Sequence, residues 1–174
     1  MKEQRGFTLV ELMVVVSIAI LLLAWGIPSF SIWNTKHNIE SQMVQLYGNL
    51  QFARMNAYSA KVVSGVWWGG GAIIASYQIR YDNSSPLNNS IDDTGTDVRI
   101  GAVVTPKYAI TPSAGQQSVS FDGRGFLNVA NAADTANPIT FSVAPSFGAF
   151  VDCVSVSSTK ITLGKMNGGS CQPR

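Results

Sequence analysis

Residues 6–12 read GFTLVEL, and this stretch decides the fold because it opens an apolar run in which no charged side chain follows Glu11 until Lys36. The segment 7–30 has 24 residues. A helix of that length would extend about 36 Å at about 1.5 Å per residue, and the hydrocarbon core of a bilayer is about 30 Å thick. The sequence therefore predicts a transmembrane helix over residues 7–30.

A short basic leader, residues 1–6, precedes the run. No clear small-residue cleavage site of the secretory type follows the run, so we expect the apolar segment to stay in the mature protein. Lys2 and Arg5 lie before the run, and the positive-inside rule places them in the cytoplasm and the C-terminal body outside. An acid such as Glu11 costs about 2.5 to 3.5 kcal/mol at the centre of a membrane helix and less near its end, which still favours a partner for the carboxylate.

The leader ending in Gly6, the following Phe7 and Glu11 ahead of a clean apolar run resemble the class III signal of type IV prepilins and type II secretion pseudopilins. The resemblance implies that a prepilin peptidase cleaves between Gly6 and Phe7 and methylates the new amine of Phe7. It also implies that Glu11, the fifth residue of the mature chain, meets the N-terminal amine of a neighbouring subunit, which would lower the cost of burying its charge. A generic surface protein with an uncleaved signal anchor is the alternative.

The length and charge of the chain limit the number of domains and the classes of partner. At 174 residues and 18.6 kDa, the chain has room for the helix and one modest domain. The leader carries two basic side chains and one acidic one, so its removal lowers the formal net charge from +2 to +1. A balance so close to neutral predicts no strong field for nucleic acids or acidic partners.

The helix is expected to continue beyond the membrane as an amphipathic segment, residues 31–60. Gly26 and Pro28 should kink or loosen it locally, because proline lacks an amide donor and clashes with the preceding turn. Beyond them one apolar stripe recurs at steps of three and four residues, which predicts a face packed on a sheet or, as the alternative, a coiled-coil seam. The stripe comprises Ile39, Met43, Leu46, Leu50, Ala53 and Ala57.

The remaining residues, 61–174, indicate a β-rich outer domain. Short β-prone runs alternate with glycine- and proline-containing segments, and Asp122-Gly123 is typical of a tight hairpin turn. We predict an α+β protein in which the second half of the long helix packs on an antiparallel sheet, the lollipop architecture that the pilin resemblance also implies. The predicted strands cover 62–67, 73–81, 98–104, 118–129, 139–143, 151–157 and 160–163.

Cys153 and Cys171 are the only cysteines of the sequence. An oxidising compartment outside the inner membrane favours a disulfide between them, which the chain-entropy account credits with about 3 kcal/mol. Two free buried thiols are the alternative, and non-reducing mass analysis would distinguish the two states.

Two further stretches resemble minor pilins and pseudopilins of the H, FimT and FimU type, the GspH/FimT family. Residues 51–57, QFARMNA, resemble its Ala-Arg-x-x-Ala helix ending, and residues 120–127, SFDGRGFL, resemble its Phe-x-x-x-Gly hairpin. The resemblance implies a low-copy subunit, and the residues themselves suggest neither an enzyme nor a cofactor. Such a subunit starts in the inner membrane with its domain in the periplasm and then enters a pilus or pseudopilus, where it helps to initiate or cap the filament.

The partners that this resemblance implies are other major and minor pilins or pseudopilins, the prepilin peptidase and the inner-membrane assembly platform. The cysteine pair near the C-terminus resembles the pilus members more than the secretion members. The sequence leaves open whether the chain serves a type IV pilus or a type II secretion machine.

DNA binding is a sharper alternative. DNA-binding FimT members resemble one another in a Gly-Arg-x-Arg motif, and the nearest match here, residues 164–167, reads GKMN and lacks both arginines. Lys160, Lys165 and Arg174 could form a small basic patch that contacts phosphates. Scattered surface charges are the other interpretation of these three residues.

The remaining polar and aromatic residues predict no catalytic or metal site. His37 is the only histidine, and it has no second histidine or nucleophile to work with. Asp92, Asp93 and Asp97 lack the alternating spacing of an EF-hand loop, so we expect no metal. The pair at 67–68, two tryptophans before three glycines, either contacts a neighbouring subunit or places one ring in the core.

Overall fold

The structure is a computed structural model that describes residues 6–84, 87–92, 95–113, 116–128 and 138–174, with the backbone alone for residues 24–29. The chain divides into two compact units, Met1–Thr35 and Lys36–Arg174.

A single helix, α1, runs over Leu9–Ala60 and belongs to the first unit up to Thr35. Its bounds agree within two residues with the predicted helix over residues 7–60. The helical backbone continues through Gly26 and Pro28, and the local kink expected there stays a prediction. Within the described part of the chain, no helix combines the length and the apolar content that a membrane crossing requires.

In the second unit, one face of α1 forms the centre of the core. All six residues of the predicted apolar stripe are 0% exposed. Leu50 and Ala53, for example, belong to the same buried cluster as Val66 and Phe141 of the sheets. This packing confirms the core face and excludes the coiled-coil alternative for the stripe.

The described residues of the second unit form nine strands in two antiparallel sheets. The first sheet has the order β3-β2-β1-β5 and the second has the order β4-β6-β7-β8-β9. The strands are β1 Ser64–Trp67, β2 Tyr77–Tyr81, β3 Val98–Val104, β4 Ile110–Pro112, β5 Ser118–Phe121, β6 Ile139–Val143, β7 Cys153–Val156, β8 Ile161–Asn167 and β9 Ser170–Pro173.

The two sheets share one apolar core with the helix. Trp68, which directly follows β1, meets Phe141 of β6 edge to face, with ring centroids 5.5 Å apart. An isolated bridge between Ile74 and Ile110 also joins the segment before β2 to β4. The sequence predicted one sheet, whereas the structure divides the strands between two.

The predicted strands agree with the observed ones best where β-branched residues are dense. β3 and β6 have exactly the predicted bounds, and β8 extends four residues beyond the predicted end at Leu163. The sequence missed β4, part of which was predicted as a loop, and β9. Each of these strands is three or four residues long and ends in a proline, so its ladder depends on a partner strand rather than on local preference.

Candidate functional site

The N-terminal stretch forms a capped helix start. The backbone N–H of Glu11 donates to the hydroxyl of Thr8 over 3.2 Å, and the N–H of Leu12 donates to the Thr8 carbonyl over 3.2 Å. Thr8 is therefore the N-cap, and Gly6 and Phe7 precede the helix. The signal for this role is present in the sequence but was not among the predictions, since residues 8–11 have the Thr-x-x-Glu spacing of a capping box.

Glu11 lies in the first turn of α1, and its side chain is exposed. A carboxylate in this position is favoured by the partial positive charge of the helix N-terminus. The described side chains around it form a continuous exposed apolar surface, of a size that typically marks a membrane or protein contact. This surface includes Phe7, Leu9, Val10, Leu12, Met13, Val14, Val15, Val16, Ile18, Ile20, Leu21, Leu22 and Leu23.

The two short motifs that sequence analysis singled out contact each other. Arg54, in the helix ending, donates from Nε to the carbonyl of Gly125, in the turn after β5, over 2.7 Å. Lys61, just beyond the helix, donates from Nζ to the carbonyl of Gly123 over 3.4 Å. The helix end and the hairpin are therefore joined by two hydrogen bonds from side chains to backbone carbonyls, and this contact is referred to as the joint.

Asp122 organises the turn on the sheet side of this joint. Its Oδ1 accepts hydrogen bonds from the N–H groups of Arg124 and Phe126 over 2.9 and 3.0 Å, and its Oδ2 pairs with the Arg124 guanidinium over 2.8 Å. Desolvation alone would raise the pKa of Asp122, but these hydrogen bonds and the guanidinium bring the pKa below its ordinary value of 3.8. The turn is thus held by an ionised carboxylate.

Glycine is required twice in this turn. A Cβ on Gly123 would lie 3.1 Å from the carbonyl group of Lys61, and Gly125 has a φ of +83°, a conformation that side chains with a Cβ rarely adopt. The Gly-x-Gly spacing therefore reflects the close approach of the turn to the end of α1.

The three basic residues considered for DNA binding have different environments. Lys165 is half-buried and pairs over 2.7 Å with Asp152, whose side chain is 2% exposed. Lys160 is exposed and lies five residues earlier, about 16 Å away along an extended chain at about 3.3 Å per residue. The guanidinium of Arg174 lies 5.1 Å from the ring of Phe150. Lys165 is the basic residue inside the stretch 164–167, and its charge is paired with Asp152 within the domain.

The predicted disulfide between Cys153 and Cys171 is confirmed, with an S–S distance of 2.02 Å and a Cα–Cα distance of 6.0 Å. It joins β7 to β9 across the intervening strand β8. A Cβ on Gly164 of β8 would lie 2.8 Å from Cys171 Sγ and 2.3 Å from the carbonyl oxygen of Gln172. Glycine at position 164 therefore makes room for the bridge.

The two tryptophans at 67–68 and His37 occupy ordinary positions in the core, at its edge and on the surface of the helix. Trp68 is buried in the core, whereas Trp67 is half-buried with the Arg80 guanidinium 4.3 Å from its ring. His37 is exposed on α1. The Trp pair is therefore divided between the core and a cation contact at its edge.

The acidic residues of the loop before β3 organise that loop. Asp97 accepts a hydrogen bond from the N–H of Asp92 over 2.7 Å, and Asp93 lies outside the described residues. Desolvation raises the pKa of Asp97, and the carboxylates of Asp92 and Asp82 add to the increase. Among the residues that the structure describes, no group of three or more His, Cys, Asp or Glu side chains is placed to hold a metal ion.

Comparison with known proteins adds two findings. Residues 1–27 match the family described as a prokaryotic N-terminal methylation motif. Two crystal forms of the type IV minor pilin FimU of Pseudomonas aeruginosa superpose with TM-scores of 0.51 and 0.54, at 16% and 15% identity. The matches cover 72% and 76% of this chain and 92% of each FimU chain. The chain has a pilin fold. A search of curated proteins found no significant match.

This pilin fold confirms the predicted α+β class, with a long N-terminal helix packed on antiparallel sheet. The methylation motif covers the leader, the cap at Thr8 and Glu11, whereas the fold match extends over most of the domain. The first finding depends on residues 1–27, and the second depends on the arrangement of the backbone.

Proposed function

We propose that this chain is a minor pilin, a low-copy subunit that enters a filament and helps to initiate or cap it. The observation that carries the proposal is the methylation motif over residues 1–27 on a chain with the fold of FimU. The role is structural rather than enzymatic. Other pilins are its partners, and the outer faces of the two sheets are available to select them.

The proposed maturation begins with the prepilin peptidase, which cleaves between Gly6 and Phe7 and methylates the amine of Phe7. The apolar segment 7–30 then holds the subunit in the inner membrane with its domain in the periplasm, until the assembly platform moves it into the filament. The exposed apolar side chains from Phe7 to Leu23 support both stages, since they can face lipid first and neighbouring helices later.

Glu11 is proposed to set the register of assembly. Its backbone N–H is satisfied by Thr8, and cleavage would place a positive amine at Phe7, four residues away. The helix dipole disfavours a cation at a helix N-terminus. The amine of one subunit is therefore stabilised when it pairs with the Glu11 carboxylate of a neighbouring subunit. Pairing between subunits relieves the amine of one chain and the carboxylate of the other.

The experiment that tests this function compares Glu11→Ala with Glu3→Ala, an acid of the leader that cleavage would remove. Mass analysis of the purified full chain is expected to find a methylated N-terminus at Phe7 in both variants. Sheared filaments are expected to contain at least tenfold less of the Glu11→Ala subunit and the normal amount of the Glu3→Ala subunit. A retained leader, or equal incorporation of the two variants, would contradict the proposal.

A type IV pilus is the machine that we favour over a type II secretion system. The fold similarity to a type IV minor pilin and the Cys153–Cys171 bridge support this choice. Affinity purification of the full chain from crosslinked cells should enrich pilus subunits. Enrichment of secretion pseudopilins alone would reverse the choice and leave the pilin fold and its maturation in place.

A further inference from the structure

The loop between β6 and β7, residues 144–152, is anchored by side chains of α1 and β8 and exposes two phenylalanines. Glu40 of α1 accepts a hydrogen bond from the N–H of Phe150 over 2.6 Å, and Lys165 of β8 donates to the carbonyl of Ala149 over 2.6 Å. Ala149 itself is buried. Despite these anchors, the side chains of Phe147 and Phe150 are 50% and 62% exposed.

The backbone conformation at position 147 does not favour phenylalanine. The N–H of Ala149 donates to the carbonyl of Ser146 over 2.8 Å, which closes a turn with Phe147 and Gly148 at its centre. Their φ angles are +48° and +78°. Bulky residues rarely adopt this left-handed region, and asparagine or glycine would suit it better. The ring at position 147 therefore has a use other than forming the turn.

Two cations flank the exposed rings. The side chain of Lys36 runs beside Gly148, where a Cβ would lie 3.4 Å from Nζ, and the Arg174 guanidinium lies 5.1 Å from the Phe150 ring. Glu40 is the acid beside these cations, and its carboxylate accepts the hydrogen bond from the N–H of Phe150. Exposed aromatic rings can enter the headgroup region of a bilayer, and neighbouring cations are attracted to anionic headgroups.

The length of the chain keeps this loop near the membrane. Lys36 follows the proposed membrane segment 7–30 after only five residues, which span at most about 22 Å when fully extended at about 3.6 Å per residue. The loop packs on α1 at Lys36 and Glu40. Lys36, beside this loop, therefore lies no more than about 22 Å from the end of the proposed membrane segment.

We propose that the loop 144–152 is a second membrane contact of the anchored subunit, with Phe147 and Phe150 in the headgroup region and Lys36 and Arg174 against anionic phosphates. The occupant is the phospholipid surface on the periplasmic side of the inner membrane. The proposal rests on the anchored state of the proposed function. It deepens that function, because the subunit must then release this contact when it enters a filament.

Photocrosslinking of the full chain tests the contact. A benzoylphenylalanine probe replaces Phe147, Phe150 or Phe126 in nanodiscs that contain phosphatidylethanolamine and phosphatidylglycerol, and lipid adducts are counted by mass spectrometry. Phe126 is the matched control because it is 42% exposed and has the Arg124 guanidinium 5.8 Å from its ring. Phe126 lies in the hairpin that contacts Arg54. Arg54 is about 27 Å from Lys36 along the helix, at about 1.5 Å per residue.

Lipid adducts at Phe147 and Phe150 are expected to exceed those at Phe126 at least fivefold and to fall severalfold in pure phosphatidylcholine. Equal yields at all three positions, or adducts to a second protein chain only, would overturn the proposal. A probe at Val16 separates the two levels of inference. Lipid adducts at Val16 without adducts at the loop reject the second contact alone, whereas their absence at Val16 rejects the anchored state itself.

A second variant separates membrane contact from folding. Phe147→Asn replaces the strained phenylalanine with a residue that suits the turn, so the melting temperature should stay equal or rise. With the probe at Phe150, the same variant should lose lipid adducts severalfold. Unchanged lipid adducts in this stable variant would refute a role for the ring of Phe147.

Discussion

Arg54 and Asp122 hold opposite sides of the joint between the helix end and the hairpin. Arg54 reaches the Gly125 carbonyl from α1, while Asp122 fixes the turn that presents this carbonyl. Local sequence could predict the turn from Asp122-Gly123, because aspartate and glycine have characteristic turn preferences. It could not predict the Arg54 contact, since that bond joins residues 71 positions apart.

Removal of the Arg54 side chain should destabilise the domain. Arg54→Ala leaves the Gly125 carbonyl without its charged donor, and the expected loss is about 1 to 2 kcal/mol of unfolding free energy. Arg99→Ala, on the exposed strand β3, is the matched control and should change stability by less than about 0.5 kcal/mol. Thermal unfolding of the full chain in detergent measures both variants, and equal losses would contradict the role of the joint.

The titration of Asp122 should make the domain sensitive to acid. Because the folded state lowers the pKa of Asp122 below 3.8, its ionised form contributes stability that is complete above that value and is lost as the pH falls through the lower folded pKa. Asp122→Asn should therefore lower stability at neutral pH and flatten this part of the acid dependence.

Asp97→Asn is the control of opposite sign for this titration. The pKa of Asp97 is raised in the folded state, so its charge is unfavourable at neutral pH and its replacement should preserve or increase stability there. The variants are compared by unfolding curves measured from about pH 2 to about pH 7. Carboxyl groups titrate within this range. Identical pH profiles would exclude Asp122 as an acid-sensitive group.

At the scale of elements, the two faces of α1 were predictable and most strand partners were not. The apolar stripe repeats with the helical period, so its burial follows from pattern alone. β4 and β9 contain no comparable pattern, because each is a short segment that becomes a strand only when β6 or β8 provides a ladder. The division into two sheets likewise depends on pairings between distant residues.

The buried face of α1 should be far more sensitive to truncation than the outer face. Leu50→Ala removes a fully buried side chain and should cost about 2 to 5 kcal/mol. Val44→Ala, on the same helix with its side chain 52% exposed, should cost less than about 0.5 kcal/mol. Chemical unfolding of the full chain distinguishes the two, and similar midpoints would show that the stripe is not the core.

At the scale of the whole molecule, the bridge between β7 and β9 closes the C-terminal part of the domain. The pairing was predictable because the chain has two cysteines and the sequence predicts an outward-facing body in an oxidising compartment. The pairing of Lys165 with Asp152 was not predictable, because a lysine in a basic motif and a lysine in an internal ion pair have the same local sequence. Only the register of β8 beside β7 brings that carboxylate to it.

Reduction of the bridge should lower the unfolding free energy by about 3 kcal/mol. The variant with both Cys153→Ala and Cys171→Ala should unfold at a similarly reduced temperature and should not respond to a reducing agent. Differential scanning with and without reductant measures the effect, while non-reducing mass analysis verifies the bond. A wild-type melting temperature that ignores the reductant would contradict a stabilising role.

The position of this bridge determines how the domain carries tension. A load applied to the chain beyond Cys171 passes through the sulfur atoms into β7, the middle strand of its five-stranded sheet. Without the bridge, the same load would unzip β9 from the sheet edge one hydrogen bond at a time. With it, an interior strand must slide against two neighbours at once, so the bridge lets the C-terminal end of the domain bear a load that the edge strand β9 alone would not bear.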